Sequence, residues 1–189
     1  MKKSIIYICV ILLTSCHTAS YVHVIESTPY GIDYREGKWL LNEIQSPQRI
    51  KSKLTKIAYA GFYKNLGDQL QKAEELTTFS LPYVPLNPDK MLLQRIKQES
   101  GFDYLINIES SSSKNEMIGI KVGQTYSKKK NVAESTLEVY DLNTLEIIYS
   151  RKVIGQVSID DNDNEDFAFV KSTNGIMISS LKRIMKKIK

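Results

Sequence analysis

The sequence predicts an α/β protein in which helices cover one mixed sheet. Two early segments each pair a short apolar stretch with an amphipathic helix, alternating stretches between residues 118 and 159 are typical of antiparallel strands, and an amphipathic helix ends the chain. Early βα units favour parallel pairing through right-handed crossovers, whereas short turns between the later strands favour a meander. We therefore expect the element order β-α-β-α-β-β-β-β-α.

The first βα unit is predicted over residues 38–70. Residues 39–44 are apolar and bounded by Gly37 and Ser46, which predicts a short strand. Ser46 suits a helix N-cap and Pro47 suits the first helical position, because the missing N–H of proline is harmless there. Apolar residues then recur at steps of three and four, predicting an amphipathic helix that frays near Gly67: Ile50, Leu54, Ile57, Ala58, Phe62, Leu66 and Leu70.

The second βα unit is predicted over residues 78–101. Residues 78–84 alternate in part, and Pro82 restricts this stretch to an edge or short strand. Asn87 and Pro88 repeat the cap-then-proline start, and Gly101 stands where a glycine commonly ends a helix. The apolar stripe of this helix consists of Leu92, Leu93 and Ile96.

The next part of the chain predicts strands joined by polar turns. The expected strands cover residues 102–108, 118–122, 137–140 and 147–159. Between them we expect a hairpin loop at residues 110–115, a basic turn at 128–131 and a reverse turn at 141–144.

The last predicted helix starts at Ser172 or Thr173. Its apolar stripe is Met177, Leu181, Ile184 and Ile188, and four basic residues lie opposite this stripe: Lys182, Arg183, Lys186 and Lys187. These cations are candidate contacts for anionic lipid headgroups or for an acidic partner. The alternative is a solvated face on a helix that covers the sheet, with cations favoured near the helix C-terminus.

The first 16 residues carry the most specific signal in the chain. Lys2 and Lys3 precede an apolar run over residues 5–13, which has the length of a secretory h-region and is too short to cross a bilayer. The following residues, Leu13-Thr14-Ser15-Cys16, resemble the signal of bacterial lipoproteins. That resemblance implies cleavage between Ser15 and Cys16, with acylation of the Cys16 thiol. The alternative is an ordinary signal peptide with a coincidental cysteine.

This signal divides the chain into a leader over residues 1–15, a lipidated tether over 16–37 and one periplasmic α/β domain over 38–189. Residues 17–37 show no sustained period, as expected of a tether. Cleavage would leave Cys16 as the single cysteine, so we expect no disulfide framework and no thiol nucleophile. No later run reaches 18 apolar residues, so no transmembrane helix is expected. Residues 17–20 hold no acidic sorting signal, and resemblance to known signals therefore implies an outer-membrane protein facing the periplasm.

Two further stretches carry a wider resemblance. Residues 100–106, Ser-Gly-Phe-Asp-Tyr-Leu-Ile, and the strand-turn-strand pattern of residues 137–150 are similar to the periplasmic α/β domain of three protein groups. These are the lipoprotein activators of penicillin-binding proteins, the curli-secretion lipoproteins and the amino-terminal domain of the Tol-system propeller protein. The resemblance implies a role in cell-wall synthesis or in outer-membrane assembly. The predicted loops are too short for the long membrane-entering hairpins of curli-type channels.

The predicted domain offers little chemistry. The histidines, His17 and His23, both fall in the tether, which excludes Ser-His, Cys-His and histidine-rich zinc sites from the domain. The sequence contains neither a P-loop nor a GxGxxG motif. We therefore expect no catalytic residue, cofactor or metal ion. A carboxylate pair of the glycosidase type stays open, because such a pair forms only in three dimensions.

Two charged features bear on specific ligands. The acidic run over residues 160–166 fails the EF-hand pattern, because Asp166 replaces the sixth-position glycine counted from Asp161 and Ser172 replaces the twelfth-position glutamate. A solvated loop is the alternative to calcium binding. Nucleic acid is not an expected partner despite the net charge of +5, since no basic stretch is interleaved with aromatic residues.

The positions of the aromatic residues predict which of them are buried in the core and which could contact a partner. Trp39 and Phe62 are expected in the core, whereas Tyr21, Tyr30 and Tyr34 either anchor a partner or pack onto their own domain.

We expect a non-catalytic lipoprotein that docks to an envelope protein. The alternatives are a lipid-anchored carbohydrate-active or glycan-binding protein with buried carboxylates, and a scaffold that self-associates through the predicted edge strand.

Overall fold

A computed structural model describes residues 19–26, 32–34, 36–77, 80–121, 124–160 and 172–188. Within these ranges the strands are β1 (Ser20–Glu26), β2 (Trp39–Leu41), β3 (Leu70–Lys72), β4 (Tyr104–Lys121), β5 (Gln124–Asp141) and β6 (Glu146–Asp160). The helices are α1 (Gln48–Leu66), α2 (Lys90–Ser100) and α3 (Thr173–Met185), with short 3-10 turns at Gly67–Gln69 and Ala73–Glu75.

The strands form one sheet in the order β1-β6-β5-β4-β2-β3. Strand β2 is parallel to both β3 and β4, whereas β4, β5, β6 and β1 pair antiparallel in succession. The predicted α/β class with a mixed sheet is therefore confirmed. The sheet joins a parallel part, built by the early βα units, to an antiparallel meander.

Strand β1 forms one edge of this sheet. It pairs with β6 from Ser20 opposite Gln156 to Glu26 opposite Ser150. This strand lies within residues 16–37, so the structure places part of the expected tether in the sheet. Tyr21 and Tyr34 pack against the core of their own domain, while Tyr30 lies outside the described residues.

Two of the three predicted turns inside the meander are wrong, whereas the predicted reverse turn at 141–144 does join β5 to β6. Residues 102–108 and 118–122 were expected as separate strands, but β4 runs through the predicted loop at 110–115, and that whole stretch pairs with β5. The predicted basic turn at 128–131 lies within β5, between β4 and β6. Backbone pairing outweighs the local preference of polar residues for turns here. Strands β4 and β5 consequently form a long hairpin of 18 residues each, which the expected loop lengths did not predict.

The predicted strand at residues 78–84 is also wrong where the structure describes it. Residues 80–84 form no regular strand, and residues 78–79 lie outside the described ranges. The parallel edge strand is instead Leu70–Lys72, whose first residue was expected at the end of the preceding helix. Gly67, with a φ of 52°, ends α1 early and redirects the chain into β3.

The helix ends match their sequence signals to different degrees. Gly101 ends α2 in the left-handed conformation and Ser172 caps α3, with its hydroxyl accepting from the Gly175 N–H at 3.2 Å. Both positions confirm the prediction. The other two starts are shifted, because Pro47 itself occupies the cap of α1 and Asp89 caps α2 in place of Asn87.

Helices pack on both faces of the sheet. Helices α1 and α3 cover one face, where Trp39 and Phe62 are fully buried, as predicted. Helix α2 covers part of the other face through a second apolar cluster: Leu40, Val84, Leu93, Ile96, Phe102, Leu105, Tyr140 and Leu142. The sheet therefore carries a core on each side, and its parallel strands end beside the segment that joins β3 to α2.

Candidate functional site

A cleft opens at the carboxyl end of the parallel strands β2 and β3. Carboxyl ends of parallel strands form a recurrent binding position in α/β sheets. The cleft encloses about 520 Å³, and the polar or aromatic side chains at its wall include Asn42, Glu43, Gln45, Thr77, Ser80 and Tyr83. We call this space the docking cleft.

Asn42, which lines the docking cleft, belongs to a buried amide pair. Asn42 follows β2 directly and is only 4% exposed. Its Nδ2 donates to Oδ1 of Asn107 on β4 at 2.9 Å, and its Oδ1 accepts from the backbone N–H of Glu43 at 2.8 Å. These bonds fix the chain as it leaves β2, so the cleft wall has a defined backbone.

The segment that carries Tyr83 is held to the sheet on its C-terminal side. Nδ2 of Asn107 donates to the carbonyls of Val84 and Pro85 at 3.3 and 2.9 Å, and the Val84 side chain is fully buried. The backbone N–H of Asn87 donates to Oε2 of Glu138 and to the Tyr140 hydroxyl, each at 3.1 Å. The Tyr140 hydroxyl also bonds the Glu138 carboxylate. Buried polar groups on β4 and β5 thus hold this segment in place.

Tyr83 stands out on this fixed segment. It is 66% exposed, although its neighbour Val84 is fully buried. An aromatic ring on a backbone that is already ordered loses little conformational entropy when a partner covers it. Tyr83 is therefore the side chain of the docking cleft best suited to anchor a partner.

A second groove of about 520 Å³ adjoins the docking cleft and shares Glu43 and Glu74 with it. It lies along α1, where Lys51 pairs with Glu43. Lys72 pairs with Glu75 at 2.7 Å and also lies 4.5 Å from the centre of the Tyr59 ring. The hydrogen bond to Glu75 is the main cause that raises the pKa of Lys72. Charges of both signs are paired along this groove.

In the described part of the chain, no buried carboxyl lines the docking cleft. Glu138 is the one fully buried acidic side chain among those whose burial the structure describes, and it bonds Tyr140 and the Asn87 backbone. Glu43 and Glu74, which line the docking cleft, are both exposed. Glycosidases pair two carboxyls of which burial keeps one protonated. Nor do the described residues contain a group of three potential metal ligands.

Of the four basic residues singled out in the sequence, two lie in the last turn of α3 and two directly follow the helix. Lys182, Arg183, Lys186 and Lys187 are all exposed. The Arg183 guanidinium lies 4.1 Å from the centre of the Tyr21 ring, so it touches the strand nearest to Cys16. Ser15, Cys16 and the acidic run beyond Asp160 lie outside the described residues. None of the helices that the structure describes is long and apolar enough to cross a bilayer.

Sequence reasoning missed the residues that build the docking cleft. Asn42 and Asn107 each interrupt an apolar stretch, and a polar amide at such a position is a signal for a buried hydrogen bond. No feature of the sequence predicts that Tyr83 is exposed, because its exposure depends on the path of residues 80–87 over the sheet.

No protein-family model and no curated protein sequence matches this chain. Among solved structures, a PelC dodecamer from Paraburkholderia phytofirmans is 10% identical, with 89% of this chain and 96% of that chain covered and a TM-score of 0.43. Lipoprotein GNA1162 from Neisseria meningitidis is 11% identical, with coverages of 79% and 98% and a TM-score of 0.33. A minor lipoprotein from Acinetobacter baumannii is 13% identical, with coverages of 80% and 88% and a TM-score of 0.34. Similarity at this level assigns neither a family nor an activity.

Proposed function

We propose that this chain is a lipid-anchored, non-catalytic envelope protein that docks to a periplasmic or outer-membrane protein. The anchor is Cys16, and the outer membrane facing the periplasm is the expected location. The preformed docking cleft with Tyr83 exposed at its wall is the observation that supports the docking role. Cell-wall synthesis and outer-membrane assembly or secretion are the pathways that the sequence resemblance implies for the partner.

The strand that follows the proposed anchor in the sequence and the docking cleft belong to opposite edges of the sheet. Strand β1, which follows the anchor, is one edge, and β2 and β3 lie at the other, with β6, β5 and β4 between them. Neighbouring strands are about 4.8 Å apart, so β1 and β2 are separated by about 20 Å. A lipid at one edge confines the protein to one leaflet and raises the effective concentration of the docking cleft near a partner there.

The docking role is tested by crosslinking in living cells. Tyr83 is replaced by p-benzoylphenylalanine in the full-length chain, and irradiated envelopes are analysed by mass spectrometry. Met91 is the matched control, because it is an 80% exposed large side chain on α2 that does not line the docking cleft. We expect a reproducible protein adduct from position 83 and none from position 91. Equal adducts from both positions, or none from position 83, would contradict docking through this cleft.

The polar wall of the docking cleft also favours a second candidate, glycan binding. A sugar can pack its C–H face against the Tyr83 ring while amides such as Gln45 bond its hydroxyls. This candidate predicts that wall glycan fragments retain the native protein but not Tyr83→Ala, with no protein adduct from position 83. Shortening of the glycan during that assay would indicate the carbohydrate-active enzyme considered from the sequence.

The anchor itself is tested by Cys16→Ala. Without a thiol at residue 16 no diacylglycerol can be attached, so we expect the protein to lose incorporation of labelled palmitate. We also expect it to leave the membrane fraction when the envelope is washed at high salt. Unchanged fractionation and labelling of Cys16→Ala would refute the lipid anchor.

A further inference from the structure

The basic surface of α3 lies next to the strand that leads from the anchor. Lys182, Arg183, Lys186 and Lys187 are exposed within a stretch of six residues. Arg183 stacks on Tyr21 at 4.1 Å, and Tyr21 belongs to β1. This contact ties the basic surface to the first strand of the domain.

The distance from Cys16 to this surface is short compared with the domain. Tyr21 lies five positions after Cys16, and five steps of extended chain span at most about 18 Å. The radius of gyration of a domain of this size is about 16 Å, which corresponds to a compact body about 40 Å across. A lipid on Cys16 cannot reach around the domain, so the bilayer must lie on the side where β1 begins. The basic surface of α3 is on that side.

The charges of this surface are not neutralised by neighbours within the described residues. The ion pairs described there involve other residues, and Arg183 contacts the neutral Tyr21 ring. The apolar side of α3 holds the helix in place, since Met177, Leu181 and Ile184 are fully buried. Within the described residues, these cations therefore have no acidic partner, and the helix that leads to them is held in place by its apolar side.

We propose that this surface binds the anionic phospholipid headgroups of the membrane in which Cys16 is anchored. The proposal rests on the lipid anchor of the proposed function and adds a second attachment point. Basic residues close to an anionic bilayer are attracted to it, and several of them together give measurable binding. Two attachment points restrict rotation of the domain, so the β2–β3 edge with the docking cleft faces away from the bilayer.

The test uses the mature chain, beginning at residue 16 and carrying Cys16→Ser, so that acylation does not contribute. Cosedimentation is measured with vesicles of phosphatidylcholine containing about 30% phosphatidylglycerol, and with pure phosphatidylcholine. The variant is Lys182→Gln/Lys186→Gln/Lys187→Gln, which keeps Arg183 on Tyr21. The matched control removes three exposed lysines of α1, as Lys53→Gln/Lys56→Gln/Lys64→Gln.

We expect binding to the anionic vesicles only, weakened at least about tenfold in the α3 variant and far less in the α1 control. Raising NaCl from about 50 mM to about 500 mM should release the native protein, because salt screens these charges. Equal binding to both vesicle types, no binding to either, or equal losses in the two variants would overturn the proposal. None of these results depends on crosslinking at Tyr83 or acylation of Cys16, so the two proposals can fail separately.

Discussion

At the scale of single residues, Asp103 joins three parts of the chain. One carboxylate oxygen accepts from the Lys38 backbone N–H at 2.9 Å, and the other pairs with Lys97 Nζ of α2 at 2.7 Å. Its own carbonyl accepts from the Leu142 N–H at 2.8 Å. The hydrogen bond from Lys97, followed by that from Lys38, lowers the pKa of Asp103 below its usual 3.8. Asp103 lies in the stretch 100–106 that resembles periplasmic α/β domains, and its contacts here stabilise the fold.

Asp103→Asn removes the charge that Lys97 pairs with. We expect it to lower the free energy of unfolding by about 1–2 kcal/mol at neutral pH. Because the pKa of Asp103 is lower in the folded state, its stabilisation is fully present above pH 3.8 and is lost as the pH falls through the folded value. Urea denaturation of both proteins at several pH values checks this. A difference that persists unchanged at the lowest pH would contradict the charge-based explanation.

Asn107→Ala removes the side chain that holds the segment carrying Tyr83. The carbonyls of Val84 and Pro85 and the amide of Asn42 lose their partner, so we expect a loss of about 2–3 kcal/mol in urea denaturation. Crosslinking from position 83 should fall as well, because the ring is no longer fixed. Gln94→Ala on the exposed side of α2 is the control, and its effect should stay within about 0.5 kcal/mol.

At the scale of elements, α3 and β1 meet at Gly155 of β6. A Cβ atom at this position would lie 2.3 Å from Cγ2 of Ile176 and 2.7 Å from Cε1 of Tyr21. Both contacts are too short, and the buried side chain of Ile176 has little room to move. The glycine therefore lets the helix and the edge strand approach the same point of the sheet.

Gly155→Ala should separate these elements and cost about 1–3 kcal/mol of stability. The amide protons of β1 should exchange faster with solvent, which hydrogen-exchange mass spectrometry detects. Ile176→Leu removes the Cγ2 methyl, so the double variant should recover part of the loss. Native exchange rates in β1 of the Gly155→Ala variant would show that the sheet accommodates the methyl group.

The elements also show what the sequence could predict. Gly101 and Ser172 mark helix ends through bonds within a few residues, so both were predictable. Strand β1 was not, because its partner lies in β6, with Ser20 bonding to Gln156 across 136 residues. The polar middle of β4 resembles a loop locally, and its pairing with β5 decides its conformation. The docking cleft also depends on contacts between distant parts of the sequence. Its one signal in the sequence is that Asn42 and Asn107 each interrupt an apolar stretch.

At the scale of the whole molecule, the two apolar cores share one sheet. Ile96→Ala in the α2 core should cost about 2–5 kcal/mol, because Ile96 is fully buried. Trp39 is the single tryptophan and lies in the core on the other face of the sheet, so its fluorescence reports on that core. We expect the fluorescence and the far-ultraviolet circular dichroism transitions of Ile96→Ala to shift together. If the Trp39 transition did not move, the two cores would unfold independently.

The position of β1 also has a consequence for the proposed export of the chain. An exported chain would release β1 early, yet the β6 residues that pair with it would emerge more than a hundred residues later. Until then the backbone groups of β1 have no strand to bond, and loop closure over so long a distance is slow. On this proposal, the first of the described strands to be translocated would be among the last to pair, so the newly exported chain would stay beside the bilayer with an incomplete sheet.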